Sequence, residues 1–150
     1  MLCQLVYSSV PTKKMINSHL YLLLREVRLK NKVSQITGLL VFVDDMFLQV
    51  LEGNESDVKT VFEKISRDAR HKNIETLFEG HIAERAFPNW AMAYASASTR
   101  ELGNWSGLNN TTTIQDILSH ITTNPTLVPG IFKNLLTKIS ETEQDLDDPQ

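Results

Sequence analysis

"ITGLLVFV" (Ile36–Val43), the pair Asp44-Asp45 and "MFLQVLEG" (Met46–Gly53) together decide how this chain folds. Both flanking runs are apolar and rich in β-favouring residues, and the two-residue polar break between them predicts an antiparallel hairpin. Five of the six residues from Met46 to Leu51 are apolar, so the second strand should be covered on both faces. Gln49 is the misfit. A buried amide left unpaired costs about 1–3 kcal/mol, so Gln49 calls for a partner that meets both its donor and its acceptor end.

Upstream of the hairpin, "LCQLVYSS" reads as a first strand with Cys3, Leu5 and Tyr7 on one face. A helix follows, with Asn17 or Ser18 as cap, Leu20, Leu23, Leu24 and Val27 at helical spacing, and an end near Asn31. Downstream, Asn54 can cap a second helix with Val58, Val61, Phe62 and Ile65 as its apolar stripe. "IETLFEGHIAERAF" then reads as an extended strand or bent pair. "WAMAYA" reads as a last strand with Trp90, Met92 and Tyr94 on one face. This β-α-β-β-α-β-β order predicts an α+β, ferredoxin-like sandwich: a five-stranded mixed sheet, two helices on one face, first and third strands as central neighbours. Tyr7 then falls beside Gln49.

From Ser96 to Thr113 the composition turns polar and Gly/Asn-rich, as a connecting segment does. Two short amphipathic helices are expected after it, marked by Ile114, Ile117, Leu118 and Ile121, then by Ile131, Phe132, Leu135 and Ile139 with Pro129 near the start. Their apolar faces suit the bare side of the sheet. The tail "ETEQDLDDPQ" has the composition of a disordered segment.

With 150 residues and 41% hydrophobic content, the chain can build one core without staples. The single cysteine, Cys3, excludes an intrachain disulfide, and no Cys/His spacing suggests a metal site. A leader and a membrane-length apolar run are both lacking, which favours the cytoplasm and no membrane partner. A net charge of −3 argues against nucleic acid as the main partner.

Three groups of residues could carry chemistry. Tyr7 and Gln49 pair an oxidisable phenol with an amide that can exchange its donor and acceptor ends; a satisfied core glutamine beside a core tyrosine is the plainer alternative. Lys64, Arg67, Arg70, His71 and Lys72 would suit a phosphate-bearing ligand, or form a solvated helix terminus favoured by the macrodipole. Asn31 suits a cap as well as a ligand contact, and Trp90 and Met92 suit a plain core. No nucleophile–base motif or Gly-rich phosphate loop is present.

Taken together, "VYSS" around Tyr7, Asn31 before "ITGLLVF", "MFLQVLEG" with Gln49, "RDARHKN", and "RAFPNWAM" with Trp90 and Met92 resemble the BLUF family, blue-light sensors using FAD. The resemblance implies a flavin-binding domain over 2–96; beyond it, composition and periodicity give a linker and two short helices packing on that domain over 97–140 and a disordered acidic tail over 141–150. Gln49 would lie between Tyr7 and the flavin ring, with Asn31 on the pyrimidine edge and the ring between the two helices. Leu23 and Ile65 would line its faces. Lys64, Asp68, Arg70 and His71 fall where the family contacts the ribityl and phosphate portions. Lys30, beside Asn31, is a further cofactor position at which relatives vary, and Ala91 replaces a serine frequent between the Trp and Met. FMN or riboflavin could substitute for FAD.

In the family, light moves an electron and proton from the tyrosine toward the flavin, and recombination leaves the glutamine rearranged and the absorption red-shifted. Trp90 and Met92 would relay this change to the C-terminal helices. The expected protein is the short stand-alone type, no enzyme, signalling through self-association as a homo-oligomer or through a downstream protein partner. Two other classes stay open: a flavin-dependent oxidoreductase, and a light-insensitive interaction module on the same fold.

Overall fold

The computed structural model describes residues 1–89, 91–96, 98–105, 108 and 113–123. The elements run β1 (Leu2–Pro11), α1 (Asn17–Ser34), β2 (Thr37–Val43), β3 (Met46–Asn54), α2 (Glu55–Ser66), β4 (His71–His81), β5 (Ala93–Ser96), α3 (Thr99–Trp105) and α4 (Ile114–Thr123). The five strands form one mixed sheet in the order β4-β1-β3-β2-β5, as the ferredoxin-like reading requires. β1 and β3 are antiparallel central neighbours, β2–β3 is the hairpin, and β5 runs parallel to β2. Asp44 and Asp45, with φ of 50° and 58°, both occupy the left-handed region that a type I′ hairpin loop needs.

Strand alternation splits the interior into two cores. On one face, Cys3, Leu5, Tyr7, Leu40, Phe47 and Leu51 meet Leu20 and Leu24 of α1 and Val58 of α2. On the other, Val6, Leu39, Val41, Leu48 and Val50 meet Phe87 from the segment after β4, Leu102 of α3, and Ile117 and Leu118 of α4. Ile117 and Leu118, from the apolar face of the first expected C-terminal helix, are thus buried on the side of the sheet that α1 and α2 leave bare. The second expected helix and the tail lie outside the described residues.

Several boundaries differ from the sequence reading. α1 continues past Asn31 to Ser34 and stops where Gln35 turns left-handed at φ 56°. Its N-cap position is Ile16, and neither this helix nor α2, capped at Asn54, has a side-chain cap hydrogen bond. "HIAERAF" is not a second strand, because β4 ends at His81. The last strand is short: pairing with β2 begins at Ala93 opposite Leu39. Before it, Asn31 and Arg28 bind the Ala91 and Met92 carbonyls, so those groups are not available to a ladder. The expected connecting segment contains α3. A capping box holds its start, with the Glu101 amide on Ser98 Oγ (3.0 Å) and the Ser98 amide on Glu101 Oε1 (3.1 Å).

Candidate functional site

A cavity of about 460 Å³ opens between α1 and α2 above the helix-bearing face of the sheet. Its floor is Tyr7 of β1, Leu40 of β2, and Phe47 and Gln49 of β3. The floor is set by register, since Tyr7 lies directly opposite Gln49, and Gln49 opposite Leu40. Odd-numbered positions of β1 and β3 face the helices, so the period of two that buries the core also aims this phenol and this amide into one space.

The walls come from helical spacing. Leu23, Val27, Lys30 and Asn31 recur along one side of α1, and Val61, Lys64 and Ile65 along one side of α2. Asp68, Arg70 and His71 close the rim after α2. The ten residues expected around a cofactor, Tyr7, Leu23, Lys30, Asn31, Gln49, Lys64, Ile65, Asp68, Arg70 and His71, therefore all border one cavity. Of the basic cluster, Arg67 instead pairs with Glu63 at 2.6 Å, and Lys72 stands in β4 opposite Val10.

Tyr7 and Gln49 are 3% and 4% exposed, so they meet almost out of water. The Tyr7 hydroxyl donates to Gln49 Oε1. Gln49 Nε2 points at Met92 Sδ, 3.5 Å away, a weak acceptor for an amide donor. Asn31 Nδ2 donates to the Ala91 carbonyl at 2.7 Å, and Arg28 Nε to the Met92 carbonyl at 2.7 Å. Met92 therefore meets Gln49 from just ahead of β5, not from within the strand. Trp90 lies outside the described residues.

Phe62 and His71 pack around the phenol, with ring centroids 5.3 and 6.3 Å from that of Tyr7. His71 Nε2 lies 2.6 Å from the Ile65 carbonyl, which can only accept, so the ring proton sits there. Nδ1 then receives the Ser9 hydroxyl at 2.9 Å when the ring is neutral. Burial pushes the Tyr7 phenol well above its ordinary value, and the Asp68 carboxylate adds to the rise, so Tyr7 is a neutral donor.

The rim is a charged network. Arg70 holds Asp68 through Nη2–Oδ2 at 2.6 Å and Nε–Oδ1 at 3.0 Å. This hydrogen bonding lowers Asp68 to about 2 and raises Arg70 in turn. Glu26 joins in, accepting from Lys30 Nζ at 2.9 Å and Arg70 Nη1 at 3.2 Å, and is lowered first by Lys30 and then by Arg70.

Sequence reasoning missed Glu26, Met15, Val33, Ser34, Leu40 and Phe47 as lining residues, and expected Val27 and Val61 only as core positions of their helices. Glu26 had a usable signal: it stands three residues after Leu23 and four before Lys30, on the same helical face. Leu40 had one too, as the hairpin partner of Gln49.

The donor set suits a planar heteroaromatic ring with a polar edge and an anionic tail: apolar walls from Leu23 and Ile65, amides at Gln49 and Asn31, cations at Lys30, Lys64 and Arg70. A family model described as sensors of blue light using FAD matches residues 2–93. The chain is 31% identical over 141 residues to the photoactivated adenylate cyclase subunit beta of Euglena longa, a match covering 91% of this chain but 16% of that protein's length. A structure of the BLUF protein BlrB in its dark state, 26% identical, superposes with a TM-score of 0.69 over 91% of this chain and 96% of that one. One of BlsA in its photo-activated state, 30% identical, gives 0.67 over 81% and 95%. With the paired phenol and amide at the floor of the cavity and the family model spanning most of the sheet, this chain belongs to the BLUF family of flavin-using blue-light sensors.

Proposed function

We propose that the protein is a blue-light photoreceptor that binds FAD non-covalently in this cavity and signals by changing its association with itself or with another cytoplasmic protein. The observation that carries the reading is the buried contact of Tyr7 with Gln49, whose amide also faces Met92. Gln49 and Asn31 would hold the polar edge of the ring, Leu23 and Ile65 its faces, and Lys30, Lys64, Asp68, Arg70 and His71 the ribityl and phosphate portions. Flavin held there would supply blue-light absorption and an acceptor for one electron.

The chain's own residues supply the rest. Tyr7, kept neutral by burial, must lose its proton as it loses an electron, and Gln49 Oε1 is the acceptor already in place. Recombination returns that proton to Tyr7 Oη. If the amide has meanwhile reversed its ends, Gln49 Nε2 donates to Tyr7 Oη, and Oε1 replaces a donor beside Met92 Sδ. The reversal turns Tyr7 Oη from donor to acceptor and leaves Met92 Sδ, which has no hydrogen to donate, without its amide donor, so the rearranged state differs in pairing from the dark one. Trp90 and Met92 would relay the change.

Absorption spectra of the FAD-loaded protein in the dark, after brief blue light and during recovery test the reading. A modest red shift that reverts in the dark is the expected result, and Tyr7→Phe should lose it while retaining flavin. Bleaching to reduced flavin with turnover would favour an oxidoreductase, and a protein that takes up no flavin would leave an interaction module.

A further inference from the structure

Glu52 carries a fully buried carboxylate, 0% exposed, on the face of β3 opposite Gln49. Three N–H donors converge on it, all at 2.9 Å: Gln4 Nε2 and the Ala86 amide on Oε2, and the Phe87 amide on Oε1. Arg85 Nη1 fastens the same stretch from outside, donating to Thr37 Oγ1 at 2.9 Å and to the Glu52 carbonyl at 3.1 Å. After leaving β4 at His81, the chain is thus tied to β2 and β3 at residues 85–87. It is tied again at Ala91 and Met92, whose carbonyls accept from Asn31 and Arg28, on the opposite side of the sheet. Phe87 belongs to the core shared with Leu102 and Ile117, and Met92 to the core shared with Tyr7. The short strap between them therefore spans both cores.

We propose that Glu52 is a positioning residue for the Gln49–Met92 contact: by accepting the Ala86 and Phe87 amides it sets where the strap begins, and so where Met92 Sδ meets the Gln49 amide. A carboxylate has acceptor sites for all three donors and no hydrogen of its own to oppose them. A glutamine at this position would always turn its NH₂ toward one of the two backbone amides, and one strap amide would lose its acceptor. The bearing of this placement on light sensing rests on the photoreceptor reading; the placement itself does not.

The test is methyl-¹³C methionine NMR of the flavin-loaded protein in the dark, with Met92→Leu assigning the Met92 signal and Met46, on the hairpin, reporting the fold. Glu52→Gln should shift and broaden the Met92 resonance while Met46 stays in place, and should change dark recovery about tenfold, as a change of about 1.4 kcal/mol in the barrier does. Gln4→Leu, which removes a donor from the same carboxylate but leaves both strap amides accepted, should leave the Met92 resonance and recovery unchanged. A Met92 resonance at its wild-type position in folded Glu52→Gln would overturn the proposal. If that variant does not fold, Arg85→Ala releases the same stretch from outside the buried site, and an unmoved Met92 signal there would overturn it equally. A wild-type protein without a light-induced shift would remove the photoreceptor reading and leave the dark comparison intact.

Discussion

Gln49 makes two contacts in the dry floor of the site, accepting from a strong donor, the Tyr7 hydroxyl, and facing a weak acceptor, Met92 Sδ. Gln49→Leu deletes both while keeping the volume of the site filled. The expected outcome is retained flavin with the light-induced red shift abolished, read from light-minus-dark difference spectra. Stability should fall by about 1–3 kcal/mol, because the buried Tyr7 hydroxyl loses its acceptor. Asp68 makes a prediction in pH. Its folded value, about 2, lies below its ordinary 3.8, so its pairing with Arg70 contributes stability above the ordinary value that is lost as pH falls toward the folded one. Asp68→Asn should therefore be less stable than the parent near neutrality, and the gap should close between about pH 4 and 2 in chemical-denaturation midpoints. At this scale Gln49 was legible because a polar group in an apolar run demands a reason, and Tyr7 because the strand order sets it beside Gln49; Asn31, between Lys30 and Lys32, was legible as a ligand contact only through the family resemblance. Glu52 was not, because an acid beside Gly53 reads as a strand end, and only the returning strap shows what it binds.

Among the elements, the β2–β3 hairpin is the most constrained. Gly38 has no room for a side chain: a Cβ there would lie 1.9 Å from the Val50 carbonyl oxygen, inside the ladder to β3. Gly38→Ala should force the hairpin apart and cost about 2 kcal/mol or more, measurable by denaturant titration, with weakened flavin retention because Leu40 and Gln49 move with the strand pair. The hairpin, α1 and α2 were readable from periodicity and from the two-residue turn. α3 was not, although its Ser98-x-x-Glu101 capping box was visible, because a short helix within a Gly- and Asn-rich stretch gives too little apolar period. The last strand was overextended for a different reason: Met92 alternates correctly with Tyr94, but its backbone is committed to α1.

For the whole molecule, the sheet separates a ligand-facing core from one closed by α3 and α4. Leu102, fully buried in the second core, is far from the polar floor of the cavity in this sense. Leu102→Ala should cost about 2–5 kcal/mol in unfolding free energy and leave the dark flavin spectrum unchanged, a combination that thermal melts and absorption can separate. What the sequence by itself determined is the order of the five strands with α1 and α2, the two-sided burial of β3 and the need of Gln49 for a partner, because period, turn chemistry and the cost of burying an amide are local properties. The topology read from the sequence already set Tyr7 beside Gln49; the part that Met15, Glu26 and Phe47 play in lining the cavity, and the strap from Glu52 to Met92, were decided only by the tertiary structure. Each depends on groups far apart in the chain, and no local spacing encodes which donor a buried acceptor will meet.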